Sequence, residues 1–331
     1  WNIIVGINNS SVTDHLERFD IPAAQADPFN QQFSINQTFI RPPPSTLALF
    51  TQATWTPDDA LTLVAGVRHE INQAYDFGGV RDIGQPTEGS YGNDVEKNTN
   101  TLPRLAAIYH LDDYNSLKLL YGEASRIVPD DSGEAENTKT YEINYIHSSA
   151  RSYISASLFY NELDNLFQQD LVTDENGAFT YSLTRGDSLQ THGIELLASH
   201  YLTENLLTEF AYTWQESELG STGDNAPYSP ENVAHAKASY TQGKNRYSTT
   251  MRHVSSIEPE FSVGETVDDY TVVDLNYRRD DTIAGAYFNV RLTNLFDEEV
   301  RYPNNVQFNE LLDRGTIGYG RSIFGTLGWK F

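Results

Sequence analysis

The chain has 331 residues, enough for one large domain or two ordinary ones, and its 46 acidic against 22 basic residues leave a formal charge of −24. That balance excludes the basic surface needed for nucleic-acid binding, and the absence of cysteine excludes disulfides, thiolate metal sites and cysteine nucleophiles. No apolar run approaches the roughly 20 residues of a transmembrane helix, yet 20 Tyr, 16 Phe and 4 Trp suit surfaces where an aromatic ring meets water.

From the N-terminus onward the chain reads as strands. Trp1-Asn2-Ile3-Ile4-Val5 has no basic segment, apolar stretch or cleavage site, so the expectation is a mature or truncated form that begins within a strand. Further strands are predicted to start near Thr46, Leu61, Thr101, Ser116 and Thr140. Ile154, Ala156, Leu158 and Tyr160 then alternate with Ser155 and Ser157, and Ile194, Leu196 and Ala198 with Glu195 and Ser199. Phe210, Tyr212 and Trp214 oppose Glu209, Thr213 and Gln215, after which strands start near Val233 and Tyr247. Val273, Leu275 and Tyr277 oppose Asp274, Asn276 and Arg278, just as Phe288, Val290 and Leu292 oppose Asn289, Arg291 and Thr293. In the last segment Ile323, Leu327, Trp329 and Phe331 share one face and Ser322, Thr326 and Lys330 the other, with Phe324 out of step. The predicted fold is all-β: an antiparallel transmembrane β-barrel with about 14 strands visible, whose charged face requires a wet interior.

The links alternate in length, as they do in outer-membrane barrels. Short polar links fall at residues 56–60, 112–115, 148–151, 203–205 and 243–245. Between them lie long segments at about 9–45, 76–99, 126–138, 165–190, 216–232, 255–268 and 294–320. With the C-terminus in the periplasm, every long segment lies outside the cell. Their acids, among them Asp130, Asp131, Glu134, Glu136, Asp297, Glu298 and Glu299, read as loop solvation, with a bound Ca2+ or a lipopolysaccharide-bridging site as the alternative.

No catalytic or resident metal site is predicted, and the chain is not read as an enzyme. His110, His147, His192, His200, His235 and His253 are scattered outside any nucleophile motif, and His235 reads as a structural histidine on the lumen face. HExxH, P-loop and dinucleotide fingerprints are all missing from the sequence. Asp58-Asp59 and Asp112-Asp113 fall in predicted tight turns.

Several segments in order resemble the barrel of TonB-dependent outer-membrane receptors. These are Leu47 to Pro57 (LALFTQATWTP), Leu61 to Glu70 (LTLVAGVRHE), Pro103 to His110 (PRLAAIYH) and Leu117 to Arg126 (LKLLYGEASR), followed by Thr140 to Tyr145 (TYEINY) and Ser155 to Asn161 (SASLFYN). Gly193 to Leu197 (GIELL), Val290 to Asp297 (VRLTNLFD) and the terminal Phe331 complete the set. On their own terms, Gly193 reads as permitting close strand packing, and Asn294-Leu295-Phe296-Asp297 as a strand end with an aromatic anchor and a turn.

The resemblance implies a receptor that imports a scarce nutrient, with a ferric siderophore as the default ligand. Fe3+ would arrive as part of that chelate. It also implies an N-terminal plug and a barrel of about 22 strands. Neither a plug nor a TonB box is visible, and residues 126–138 are short beside the family's loop, so residues 1–331 are expected to be a single barrel domain forming the C-terminal part.

The partners so implied are the TonB-ExbB-ExbD complex, acting through an upstream plug, together with outer-membrane lipid and lipopolysaccharide. The outer-membrane assembly machinery would read Trp329 and Phe331. Expected ligand contacts are Tyr91, Arg126, Arg301, Tyr302, Arg314 and Tyr319; Arg301 and Arg314 are chosen because cations are scarce here and many iron chelates are anionic. The alternatives are a passive or substrate-selective porin of about 14 strands, and an adhesin.

Overall fold

The computed structural model describes residues 2–11, 34–41, 45–83, 89–127, 134–173, 179–259, 265–281, 285–303 and 314–329. The first strands are β1 (Asn2–Ser11), β2 (Ser34–Arg41), β3 (Ser45–Trp55), β4 (Leu61–Asn72), β5 (Tyr75–Ile83) and β6 (Gly89–Val95). Then come β7 (Asn98–His110), β8 (Asn115–Ile127), β9 (Ala135–Ser148), β10 (Ser152–Thr173), β11 (Phe179–Thr203) and β12 (Leu206–Leu219). The last are β13 (Asn232–Gln242), β14 (Asn245–Val254), β15 (Tyr270–Arg279), β16 (Ala286–Thr293), β17 (Arg301–Tyr302), β18 (Thr316–Ile317) and β19 (Ser322–Trp329).

Fourteen of these form one sheet in the order β1-β3-β4-β7-β8-β9-β10-β11-β12-β13-β14-β15-β16-β19. Apart from small excursions, each strand pairs with its neighbour in the chain, as an up-and-down sheet requires. Three long segments expected to be loops contain strands: β2, β5 and β6 make a separate three-stranded antiparallel sheet, and β17 pairs with β18. A fourth is drawn into a hairpin, for β10 and β11 run 22 and 25 residues and stay paired to Thr173↔Phe179. A membrane-spanning strand needs only about 9–11 residues, so this hairpin continues well past a bilayer. Backbone pairing is indifferent to whether the side chains meet lipid or water, and a segment with polar side chains can extend a ladder.

The chain divides into two compact units: Trp1–Thr56, Leu63–Ala106 and Gly122–Thr138 form one, and Pro57–Thr62, Ala107–Tyr121 and Lys139–Phe331 the other. In the first, Ile3↔Ala53, Val5↔Thr51 and Ile7↔Leu49 pair on an apolar face. Thr46 Oγ1 donates to Asn72 Oδ1 (2.7 Å) at the end of β3 and β4 away from their short link.

In the second unit the registers carry one face across six strands. Phe210↔Ala236, Ala236↔Met251 and Met251↔Val273 are directly opposed, as are Leu275↔Leu292 and Leu292↔Ile323. Ile323, Leu327 and Trp329 on that face are 72%, 61% and 54% exposed, far more apolar surface than water-facing proteins leave uncovered. Aromatic rings border it: Tyr240, Tyr247, Tyr277 and Phe288 follow one another at centroid spacings of 6.5, 5.1 and 6.2 Å. Nearer the long links, Tyr121, Tyr141 and Tyr160 form a second ladder at 5.0 and 6.1 Å.

The opposite face is polar and internally paired. Asn144 Nδ2 donates to Ser155 and Ser157 Oγ (2.8 and 2.6 Å), and Arg291 Nη2 to Asp274 Oδ2 (2.7 Å). Lys237 Nζ is paired with Glu209. The expected role of Gly193 holds, since a Cβ there would lie 2.2 Å from the Trp214 carbonyl oxygen and 2.7 Å from the Phe159 ring.

Short links close by side-chain acceptors, as the turn residues predict. Asp58 Oδ1 accepts from the Ala60 and Leu61 N–H groups (both 2.9 Å), and Asp112 Oδ1 from those of Tyr114 and Asn115 (2.8 and 2.9 Å). Thr203 Oγ1 does the same for Asn205 and Leu206 (3.3 and 3.0 Å).

Candidate ligand-binding site

At the long-link end of the second unit, a small core fixes the segments that rise from the sheet. Val254, Ile257, Tyr270 and Val300 are buried together, with Val233 and Val272 packed against them. Ile257 and Val267 exchange two backbone hydrogen bonds of 3.0 Å, which closes the base of the link between β14 and β15.

The link after β16 is set by Asn294, which is only 4% exposed and has φ 50°. Its Nδ2 donates to the Glu298 carbonyl (2.8 Å), its Oδ1 accepts from the Glu298 N–H (2.8 Å), and its own N–H reaches Asp274 Oδ1 (3.0 Å). Asp297, also at positive φ, accepts the Arg321 N–H (2.8 Å) and so ties this turn to the start of β19. The turn expected of Asn294 to Asp297 is therefore present, and Phe296 stands 69% exposed beside it.

That anchored base carries the β17–β18 ladder, Arg301↔Ile317 and Tyr302↔Thr316. Gly315 enters it at φ 77°, where a Cβ would sit 2.4 Å from the Tyr302 carbonyl oxygen, so only glycine fits without displacing the ladder.

Three of the expected contact residues meet here. Arg301 Nε pairs with Glu299 Oε1 (2.6 Å) and its Nη1 donates to the Arg314 carbonyl (3.3 Å), while Arg314 Nε lies 3.3 Å from Glu265 Oε2. Tyr302 is half-exposed and Tyr319, on the same link, is 95% exposed. Arg126 belongs to the other unit, where its guanidinium grips the buried Glu136 carboxylate (Nη2–Oε2 2.5 Å). Tyr91 lies in β6, and its side chain is outside the described residues, as is Phe331. Trp329 sits on the apolar face opposite Ala286.

Arg301 and Arg314 are scarce cations, but each already has an acid partner. A different cation lacks one among the described residues. Arg252 lies on the polar face of β14, opposite His235 and Val272, with its guanidinium carbon 5.9 Å from the Tyr270 ring centroid. Period-two alternation through Met251 and His253 was the signal that could have found it. Together, Arg252 on the wall and the exposed Tyr302 and Tyr319 above offer cationic and aromatic contacts to an anionic ligand. Among the described residues no group of three or more His, Asp and Glu is placed to hold a metal ion.

The family model described as "TonB dependent receptor-like, beta-barrel" matches residues 1–296, and the chain belongs to that family of outer-membrane β-barrel proteins. No curated protein matches in sequence. Among solved structures, the ferric yersiniabactin uptake receptor FyuA from Yersinia pestis superposes with a TM-score of 0.71 at 16% identity, over 89% of this chain and 46% of its own. The ferric-catecholate import receptor Fiu from E. coli gives 0.69 at 17% identity, over 89% of this chain and 45% of its own. The copper transporter OprC gives 0.69 at 17%, over 87% and 48%. At these identities the likeness shows the fold, and the chain spans about half the length of the structures it matches. The family match favours the receptor reading over a passive porin.

Proposed function

We propose that this chain is part of a TonB-dependent outer-membrane receptor that imports a scarce nutrient as a metal chelate, with a ferric siderophore as the ligand class. The observation that carries this reading is the long-link end of the second unit. There an anchored aromatic and arginine-bearing hairpin stands beside Arg252, a cation of the polar wall with no acid partner among the described residues. An anionic chelate would exchange with the exposed Arg301–Glu299 and Arg314–Glu265 pairs at little cost, because solvent already screens them. Two of the structural neighbours are by name uptake or import receptors for iron chelates, and a third transports copper, so the fold itself does not select the metal.

In this reading Fe3+ is cargo held by the ligand, the protein is a transporter with no catalytic residue, and TonB-ExbB-ExbD supplies energy through a plug. The short links and the C-terminus lie in the periplasm and the long links outside, where loop acids would meet Ca2+ or lipopolysaccharide. Trp329 and Phe331 would engage the assembly machinery.

The test is growth of a deletion strain on a panel of ferric chelates and cobalamin, with labelled-ligand uptake as the readout. Loss of uptake for one ligand is expected, and normal uptake of all would overturn the proposal. In the complemented strain, Arg252→Gln should weaken binding of the imported chelate by about five- to tenfold if it contacts an anionic group.

A further inference from the structure

The apolar face of the second unit is not evenly filled. A groove of about 530 Å³ runs along it, lined by Leu206, Ala238, Tyr247, Thr249, Leu275 and Leu292 among others. Its cause is a pair of small side chains in register, Ala238↔Thr249, in the row that continues through Leu275↔Leu292 and lies beside the larger row Tyr240↔Tyr247↔Tyr277. The volume lies within the roughly 300–1,000 Å³ of ordinary ligand pockets.

One residue pair beyond the tyrosine row, toward the short links, Arg279 lies on the same face opposite Asn245 and Phe288. Its Nη1 donates to Asn245 Oδ1 (3.1 Å), an atom that also accepts the Tyr277 hydroxyl (2.9 Å). Nearby Lys244 is paired with Asp281. Among the described residues Arg279 has no carboxylate partner, although acids outnumber bases two to one in the chain. A guanidinium held at the edge of a lipid-facing surface by a neutral amide is ready for an anion, and its planar fork suits phosphate.

We infer that this face binds one anionic phospholipid, its phosphate on Arg279 and an acyl chain in the groove beneath Tyr247 and Tyr277. The inference rests on the orientation proposed above, which places the short-link end in the phospholipid leaflet of the outer membrane.

The experiment uses protein purified from native membranes and transferred to nanodiscs of mixed phosphatidylglycerol and phosphatidylcholine, with retained lipid identified by native mass spectrometry. Wild-type protein should retain a single phosphatidylglycerol in preference to phosphatidylcholine. Arg279→Gln should cut that preference about fivefold. Ala238→Leu, which fills the groove, should lower retention of both lipids, while Arg252→Gln on the opposite face should change neither. Unchanged preference in Arg279→Gln would overturn the site. Arg279-dependent retention of lipopolysaccharide from the native membrane would instead overturn the orientation on which the assignment depends. Chelate uptake, measured on the same variants, reports separately on the receptor reading and should be unaffected by Arg279→Gln.

Discussion

Leu275 and Asn276 are adjacent in β15 and live in different solvents. Leu275 pairs with Thr249 and Leu292 on a face with little inward packing, whereas Asn276 pairs with Ser248 and Arg291 on a face of ion pairs and amides. The backbone of both is satisfied by the same ladder. The difference teaches that stability here does not come from a shared interior, and among the described residues no large side chain is fully buried. One face is selected by lipid, the other by a wet interior in which charges find partners across strands.

The sharpest way to break that comparison is to exchange the solvents. Leu275→Arg should cost about 2–4 kcal/mol, as charges near mid-membrane do in barrels. Asn276→Arg should stay within about 0.5 kcal/mol. Unfolding titrations in lipid vesicles would measure both, and equal losses would erase the distinction between the faces.

A smaller effect tests whether the polar face is held by its pairs. Asp274 is 16% exposed and accepts from Arg291 and from the Asn294 N–H, so Arg291→Met should cost about 1–3 kcal/mol by stranding a half-satisfied acceptor. Asp274→Asn in the same background should recover part of it in a double-mutant cycle. Lys237→Met, which breaks a more exposed pair with Glu209, should cost no more than about 1 kcal/mol by the same titration.

The smallest change concerns the short-link end. Hydrogen bonds from the Asn115 side chain and the Tyr114 N–H hold the Asp112 carboxyl below its ordinary value. A carboxylate lowered on folding stabilises the turn fully above its unfolded pKa, and loses that contribution as pH falls through the folded value. The protection of the Tyr114 and Asn115 amides, measured against their intrinsic exchange rates at each pH, should therefore fall on acidification. In Asp112→Asn that protection should no longer depend on pH.

Much of the fold was legible because strand alternation is a local property. The paired faces from Ile154 to Trp329 follow the expected assignment, and the aspartates at 58 and 112 and Asn294 form the turns their chemistry suggests. The three-stranded sheet of β2, β5 and β6 was not legible. Its strands carry mixed polar residues without the period of a membrane wall, and only pairing defines them.

The candidate site was read less completely. Arg301, Tyr302 and Arg314 do meet on one hairpin, but the sequence could not reveal that Glu299 and Glu265 neutralise the two arginines, nor that Arg252 has no acid beside it among the described residues.

By itself, then, the sequence determined which side chains share a face and where the chain turns, since both depend on residues within a few positions of one another. The tertiary structure decided which strand lies beside which and in what register. That in turn decided which cations meet acids, where small residues align into a groove, and how a buried Asn294 anchors the hairpin above the sheet. Those outcomes depend on contacts between positions tens of residues apart, which the spacing of residues along one strand does not encode.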